Sequence, residues 1–152
     1  NRETGILTAR FGVGEKGESS YTFSEGSSVV EASLTPATGA FVFNDPVPRF
    51  VVTIPMEGSD PVSIPIREVI ITGAISADGA KISGGTLEGI VTVEDAQNTY
   101  ILIDTLYNIL TTAEGVQPNN DMNGDTVMDS WVFVGTFTAK GCTTEPVAAA
   151  AN

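Results

Sequence analysis

Apolar and polar residues alternate with period two through most of this chain, the pattern of β-strands buried on one face. Within residues 5–13, Leu7, Ala9, Phe11 and Val13 fall together. Val30, Ala32 and Leu34 do so in 28–35, Phe41 and Phe43 in 39–44, and Phe50, Val52, Ile54 and Met56 in 49–56. Val69, Ile71, Gly73, Ile75 and Ala77 align in 67–78, and Leu87, Gly89, Val91 and Val93 in 86–93. Trp131, Phe133, Gly135, Phe137 and Ala139 align in 130–140. Seven or eight such strands predict a mainly β fold, an antiparallel sandwich or a small barrel, forming one domain over residues 1–141.

Turn residues punctuate the strands. Asp78-Gly79 fits a type I′ hairpin, which needs positive φ at both central positions. Gly84-Gly85 within the return strand predicts a bulge. Asn44-Asp45-Pro46 and the prolines at 55, 61 and 65 mark turns or an edge, because proline has no N–H for a central ladder. Residues 15–20 read as a polar loop.

One stretch departs from period two. Over residues 95–112, Thr99, Leu102, Ile103, Leu106, Ile109 and Leu110 recur at helical spacing, with Gln97, Asp104, Asn108 and Thr111 opposite. That predicts one amphipathic helix, started by a capping signal at Thr92–Asp95 and stopped by Gly115 and Pro118. Two buried strands are the competing reading, since Ile and Tyr also favour sheet.

The chain has 152 residues, 7 Lys and Arg against 19 Asp and Glu, and a net charge of -12. Nucleic acid and anionic membranes reward basic clusters, so neither is an expected partner. Histidine is absent, which removes the Ser-His-Asp and Cys-His triads and most zinc sites. No apolar run is long enough for a transmembrane helix. The low Lys and Arg content, the 16 glycines and the Asn1 start lead to the expectation of a mature secreted chain whose signal has been removed. The localisation expected is secreted, periplasmic or cell surface. Residues 142–152 read as a flexible or partner-bound tail, and the single Cys142 at its start as a small, partly buried thiol or a link to another chain.

Chemistry concentrates in residues 119–131, Asn-Asn-Asp-Met-Asn-Gly-Asp-Thr-Val-Met-Asp-Ser-Trp. Asp121, Asn123, Asp125 and Asp129 occupy positions 1, 3, 5 and 9 of a calcium loop, and Val127 offers its backbone carbonyl at position 7. Three carboxylates and an amide make an oxygen set suited to Ca²⁺ rather than to softer metals. Their mutual repulsion also argues for a cation. The alternative is an ion-free loop held by side chain to backbone hydrogen bonds. Asn119, Asn120 and Glu114 are the nearest residues that would complete a shell.

The segment resembles the DxNxDGxxD calcium loops of dockerins, thrombospondin type-3 repeats and similar extracellular proteins. The resemblance covers about a dozen residues and implies a structural Ca²⁺ site, not a fold. It departs at Thr126, where glycine is usual after the third ligand, and at Val132, which replaces the bidentate Glu of an EF-hand. More broadly, residues 75–89 with the later 121–139 look like uncharacterised secreted or lipoprotein domains of Gram-negative bacteria, which implies an envelope setting and no activity.

The function expected is therefore a structural or accessory subunit of a larger extracellular or envelope assembly, with protein subunits as partners and no catalytic residues. The loop would pin Trp131 and Phe133 in register. A carbohydrate-binding module is the first alternative, with Tyr21, Tyr100 and Tyr107 as aromatics outside the expected core faces and a glycan as ligand. A glycoside hydrolase using a carboxylate pair is the second. Glu31, Glu68 and Glu88 sit at outward strand positions, where solvated side chains are the rule.

Overall fold

A computed structural model describes residues 3–10, 14–16, 21–23, 29–54, 56–141 and 144–145. The expectations for 11–13, 17–20, Pro55, Cys142 and the tail after Glu145 lie outside the described residues. The strands are β1 (Ile6–Arg10), β2 (Gly14–Lys16), β3 (Tyr21–Phe23), β4 (Val29–Leu34), β5 (Ala40–Phe43) and β6 (Val47–Ile54). They continue with β7 (Val62–Ile75), β8 (Lys81–Thr92), β9 (Tyr100–Ile101), β10 (Asp104–Thr105), β11 (Ser130–Lys140) and β12 (Thr144–Glu145). The fold is mainly β, and its large antiparallel sheet is not closed into a barrel. That sheet runs β1-β4-β5-β7-β8-β11, with β6 also pairing β7. The β9–β10 pair and the set β12-β3-β2 form two small sheets. Among the described residues no helix is long and apolar enough to cross a membrane.

The chain divides into two compact units. The first comprises Asn1–Asp45, Ile71–Thr86 and Thr136–Asn152. Its alternation buries Val30, Ala32, Leu34, Phe41, Phe43 and Ile71, with the Phe41 and Phe43 rings 6.3 Å apart. The β7–β8 turn lies here, but only Gly79 takes positive φ. Gly79 N–H donates to the Ser76 carbonyl at 2.9 Å. Asp78 instead accepts from the Ser76 hydroxyl and the Ala80 N–H. This side-chain bonding holds the turn with Asp78 at negative φ, so the expected I′ geometry gives way. Gly84 takes φ 55, and the buried face moves from even to odd positions there, as a bulge requires.

The second unit comprises Pro46–Ile70 and Leu87–Gly135. Its core holds Val47, Val62, Ile64, Ile66, Val69, Leu87, Val91, Ala96, Leu106 and Trp131. Complete burial of Ile66 and Val69 is worth about 1.5–3 kcal/mol for each side chain. Strand β7 begins earlier than its alternation suggests and includes Pro65, opposite Val51. It also changes face midway. Val62, Ile64 and Ile66 are buried, then Val69, and between them Glu68 is exposed with φ 50. Gly89 of β8 lies against this irregularity. A Cβ there would stand 2.6 Å from Ile66 Cγ2, 2.8 Å from the Arg67 carbonyl oxygen and 2.9 Å from Val69 Cγ2.

The switch turns Arg67 toward helix α1 (Val93–Asn98). Arg67 Nε donates to Asp95 Oδ2 at 2.6 Å and Nη2 to Oδ1 at 3.2 Å. Thr92 caps the helix, accepting the Asp95 N–H at 3.0 Å and donating to Asp95 Oδ2 at 2.9 Å. The Arg67 hydrogen bond is the main cause holding the Asp95 carboxyl below its ordinary range, with smaller help from Thr92 and Arg49 and opposition from burial.

The single helix expected over 95–112 is interrupted. After Asn98, Thr99 turns to extended backbone with its hydroxyl bonded back to the Asp95 carbonyl. The chain then makes the β9–β10 hairpin, a short helix α2 (Leu106–Asn108) and a π-helical turn, Ile109–Ala113. Thr99 and Leu106 are buried, but Leu102 and Ile103 are 67% and 98% exposed. Helical spacing grouped residues that the hairpin separates, and the local strand preference of Tyr100 and Ile101 prevails.

Gly89→Ala should destabilise the chain by about 2–3 kcal/mol, because two methyl groups and a carbonyl would have to move together. Gly85→Ala should cost less, since the nearest atoms, at 2.7–2.8 Å, all belong to the one Phe137 ring. Urea unfolding midpoints test the order, and equal or reversed losses would contradict it. The lowered Asp95 pKa also sets a pH dependence. Its stabilisation is complete above the ordinary Asp value of about 3.9 and is lost as pH falls through the lowered folded value. Melting curves from pH 6 to pH 2 should show Asp95→Asn removing part of that acid sensitivity, with wild type and variant converging at the lowest pH.

Candidate functional site: the 119–131 loop

The loop is closed at its neck by its own hydrogen bonds. Asn119 and Asn120 N–H groups both donate to the Ser130 carbonyl, at 2.9 and 3.0 Å. Asp129 and Ser130 N–H groups return to the Asn120 carbonyl at 3.1 and 3.2 Å. The Ser130 side chain is fully buried, and its hydroxyl accepts from Asn120 Nδ2 at 3.0 Å. Its one proton has two acceptors at 3.0 Å, the Asn120 carbonyl and Asp129 Oδ1. A buried hydroxyl in a core is as a rule hydrogen-bonded, and this one is bonded several times over. Next to the neck, Trp131 Nε1 donates to the Val116 carbonyl at 3.2 Å. The Tyr107 ring meets the Trp131 ring edge-on at 6.1 Å. The Val93 N–H donates to the Asp129 carbonyl at 2.8 Å, tying the neck to α1.

Inside the neck the Asx side chains organise the backbone. Asp121 Oδ1 accepts from the N–H groups of Gly124 at 2.7 Å and Asp125 at 3.2 Å, and Oδ2 accepts from Thr126 at 2.7 Å. Gly124 and Thr126 take φ 79 and 75, which turns successive N–H groups inward. These bonds, the one from Thr126 first, hold the Asp121 carboxyl below its ordinary range. Asn123 Oδ1 accepts the Asp125 N–H at 2.9 Å, and its Nδ2 donates to Asp125 Oδ2 at 3.1 Å. Asp125 Oδ1 accepts the Val127 N–H at 2.8 Å. Asp129 Oδ1 accepts from Met122 N–H at 3.0 Å.

The fold thus links Asp121, Asn123 and Asp125 in one chain of hydrogen bonds, while Asp129 serves the neck. Among the described residues no three carboxylate, Cys or His side chains gather as a metal-holding group. Asn119 Oδ1 accepts the Val132 N–H at 3.3 Å and Asn120 holds Ser130, so both expected supplementary ligands have other duties. Glu114 is exposed at the end of the π-helical turn. The donor set remains all oxygen, as a hard cation prefers. The repulsion that called for a cation is offset in part by the loop's own N–H groups.

Glu31, Glu68 and Glu88 are each exposed. Tyr107 packs on Trp131, Tyr100 is 64% exposed, and the Tyr21 side chain lies outside the description. Sequence reasoning missed the Ser130 neck and the strained Thr126. The first had no signal beyond a serine at the start of a strand. The second was signalled by the absence of glycine at that position. Compared with models of known families, with curated proteins and with solved structures, the chain matches none.

A β-branched residue at positive φ is strained by about 1–3 kcal/mol. Thr126→Gly should therefore raise stability by roughly 0.5–1 kcal/mol after the entropic cost of glycine. A higher urea midpoint with unchanged slope is the expected readout, and a lower midpoint would contradict it.

Proposed function

We propose that this chain is a non-enzymatic structural or accessory subunit of an extracellular or envelope assembly, with the 119–131 loop as its calcium-responsive element. The observation that supports this best is the neck. The Asn120 and Ser130 pairing couples an all-oxygen Asx loop directly to Trp131 of the core. A bound Ca²⁺ would draw on Asp121, Asn123 and Asp125 and the Val127 carbonyl, with Asp129 at the neck, and would supply charge neutralisation. The chain's own part is mechanical: a loop held shut keeps Ser130 and Trp131 at the head of β11. No redox or hydrolytic step is assigned to any residue.

Thermal melting in millimolar Ca²⁺ and in EGTA tests the reading. Calcium should raise the wild-type midpoint by several degrees, in a concentration-dependent way. Asp125→Ala should abolish that rise while leaving the EGTA midpoint near the wild-type value. Identical wild-type curves in calcium and EGTA would remove calcium from the proposal.

A further inference from the structure

The tip of the β9–β10 hairpin breaks two local rules at once. Ile101 pairs with Asp104, so Leu102 and Ile103 are the two loop residues. Leu102 takes φ 60 while Ile103 does not take positive φ. That is the pattern of a type II′ turn, which wants glycine first. The two aliphatic side chains are 67% and 98% exposed. The tip therefore spends backbone strain to hold apolar surface in water. Violations of local preference of this kind concentrate where a chain does something other than fold.

The surroundings narrow what the tip meets. The second unit carries Arg49 and Arg67 against eleven Asp and Glu, so it holds -9 of the chain's -12. No Lys or Arg occurs between Lys81 and Lys140. Glu94 and Asp104 are exposed, and Arg67 is engaged by Asp95. A second copy would bring the same negative unit and be repelled. A bilayer is a poor match, because two aliphatic side chains offer less than a single myristoyl chain, which itself anchors only marginally. A protein pocket rewards a small, protruding apolar anchor, and a basic rim would complement Asp104 beside the tip and the acidic excess of its unit.

We propose that Leu102 and Ile103 form a docking plug for an apolar pocket, rimmed by Lys or Arg, on a different protein. The plug rests on the assembly role proposed above and is independent of calcium.

The test places p-benzoylphenylalanine at position 103, and separately at exposed Glu57, in the full chain expressed in its producing cells. Irradiation should crosslink position 103 to one other protein, at a peptide mapped to an apolar pocket with flanking Lys or Arg, and position 57 should not crosslink there. Co-purification of that protein should fall at least about tenfold with Ile103→Ser, and also on raising NaCl from 0.1 to 0.5 M. Leu102→Gly should melt no lower than wild type, and Ile103→Ser close to it, so that loss of partner is not loss of fold. Crosslinks only to a second copy or to lipid would overturn the plug. A partner retained equally by wild type and Ile103→Ser would overturn the plug and leave the assembly role standing. No partner in any arm would overturn both.

Discussion

Strand β7 has to present apolar residues to a core at both ends of its 14 residues, and it does so by changing face once, at Arg67 and Glu68. The change works only because Gly89 across the pair has no side chain. From that single close approach several features follow. Ile66 and Val69 both reach full burial despite their odd spacing. Arg67 is turned to where Asp95 can take it in a two-pronged ion pair. Asp95 in turn accepts the Thr92 hydroxyl that caps α1. The first N–H of that helix holds the Asp129 carbonyl at the neck of the acidic loop. A single ion pair near the surface is normally worth little. Its significance here lies in what it positions.

The sheet was largely legible because burial on one face leaves a period-two record. Strands β4, β5 and β11 fall where alternation places them. The irregularities were less legible. Gly84 announced a bulge, since glycine there has an evident conformational reason. Glu68 announced nothing, because its cost is offset by packing around Gly89, which is remote in sequence on the next strand. Pro65 marked a turn or an edge in sequence and sits inside β7, opposite Val51. The helical spacing over 95–112 misled for a clear reason. Periodicity assumes that large apolar residues seek the core, and Leu102 and Ile103 do not.

The acidic loop gives a more mixed lesson. Its residue spacing identified a tight Asx turn, and the turn is there. What spacing did not convey is where each carboxylate spends its hydrogen bonds. Asp121 accepts three backbone N–H groups, an arrangement that stabilises negative charge without any ion. Ligand spacing and self-capping draw on the same geometry, because both need alternate side chains and N–H groups turned inward. A cation and the backbone therefore address the same few oxygens, and affinity depends on how much of this bonding a cation must displace.

The uneven charge has one more consequence. The chain has no histidine, the side chain whose ordinary pKa lies between about pH 5 and 8. Dissolved salt is what changes the reach of the charge, which shortens from about 30 Å at 0.01 M to about 8 Å at 0.15 M. The chain thus lacks the side chain that most often reads acidity, and the salinity around it governs how far the acidic excess of its second unit is felt.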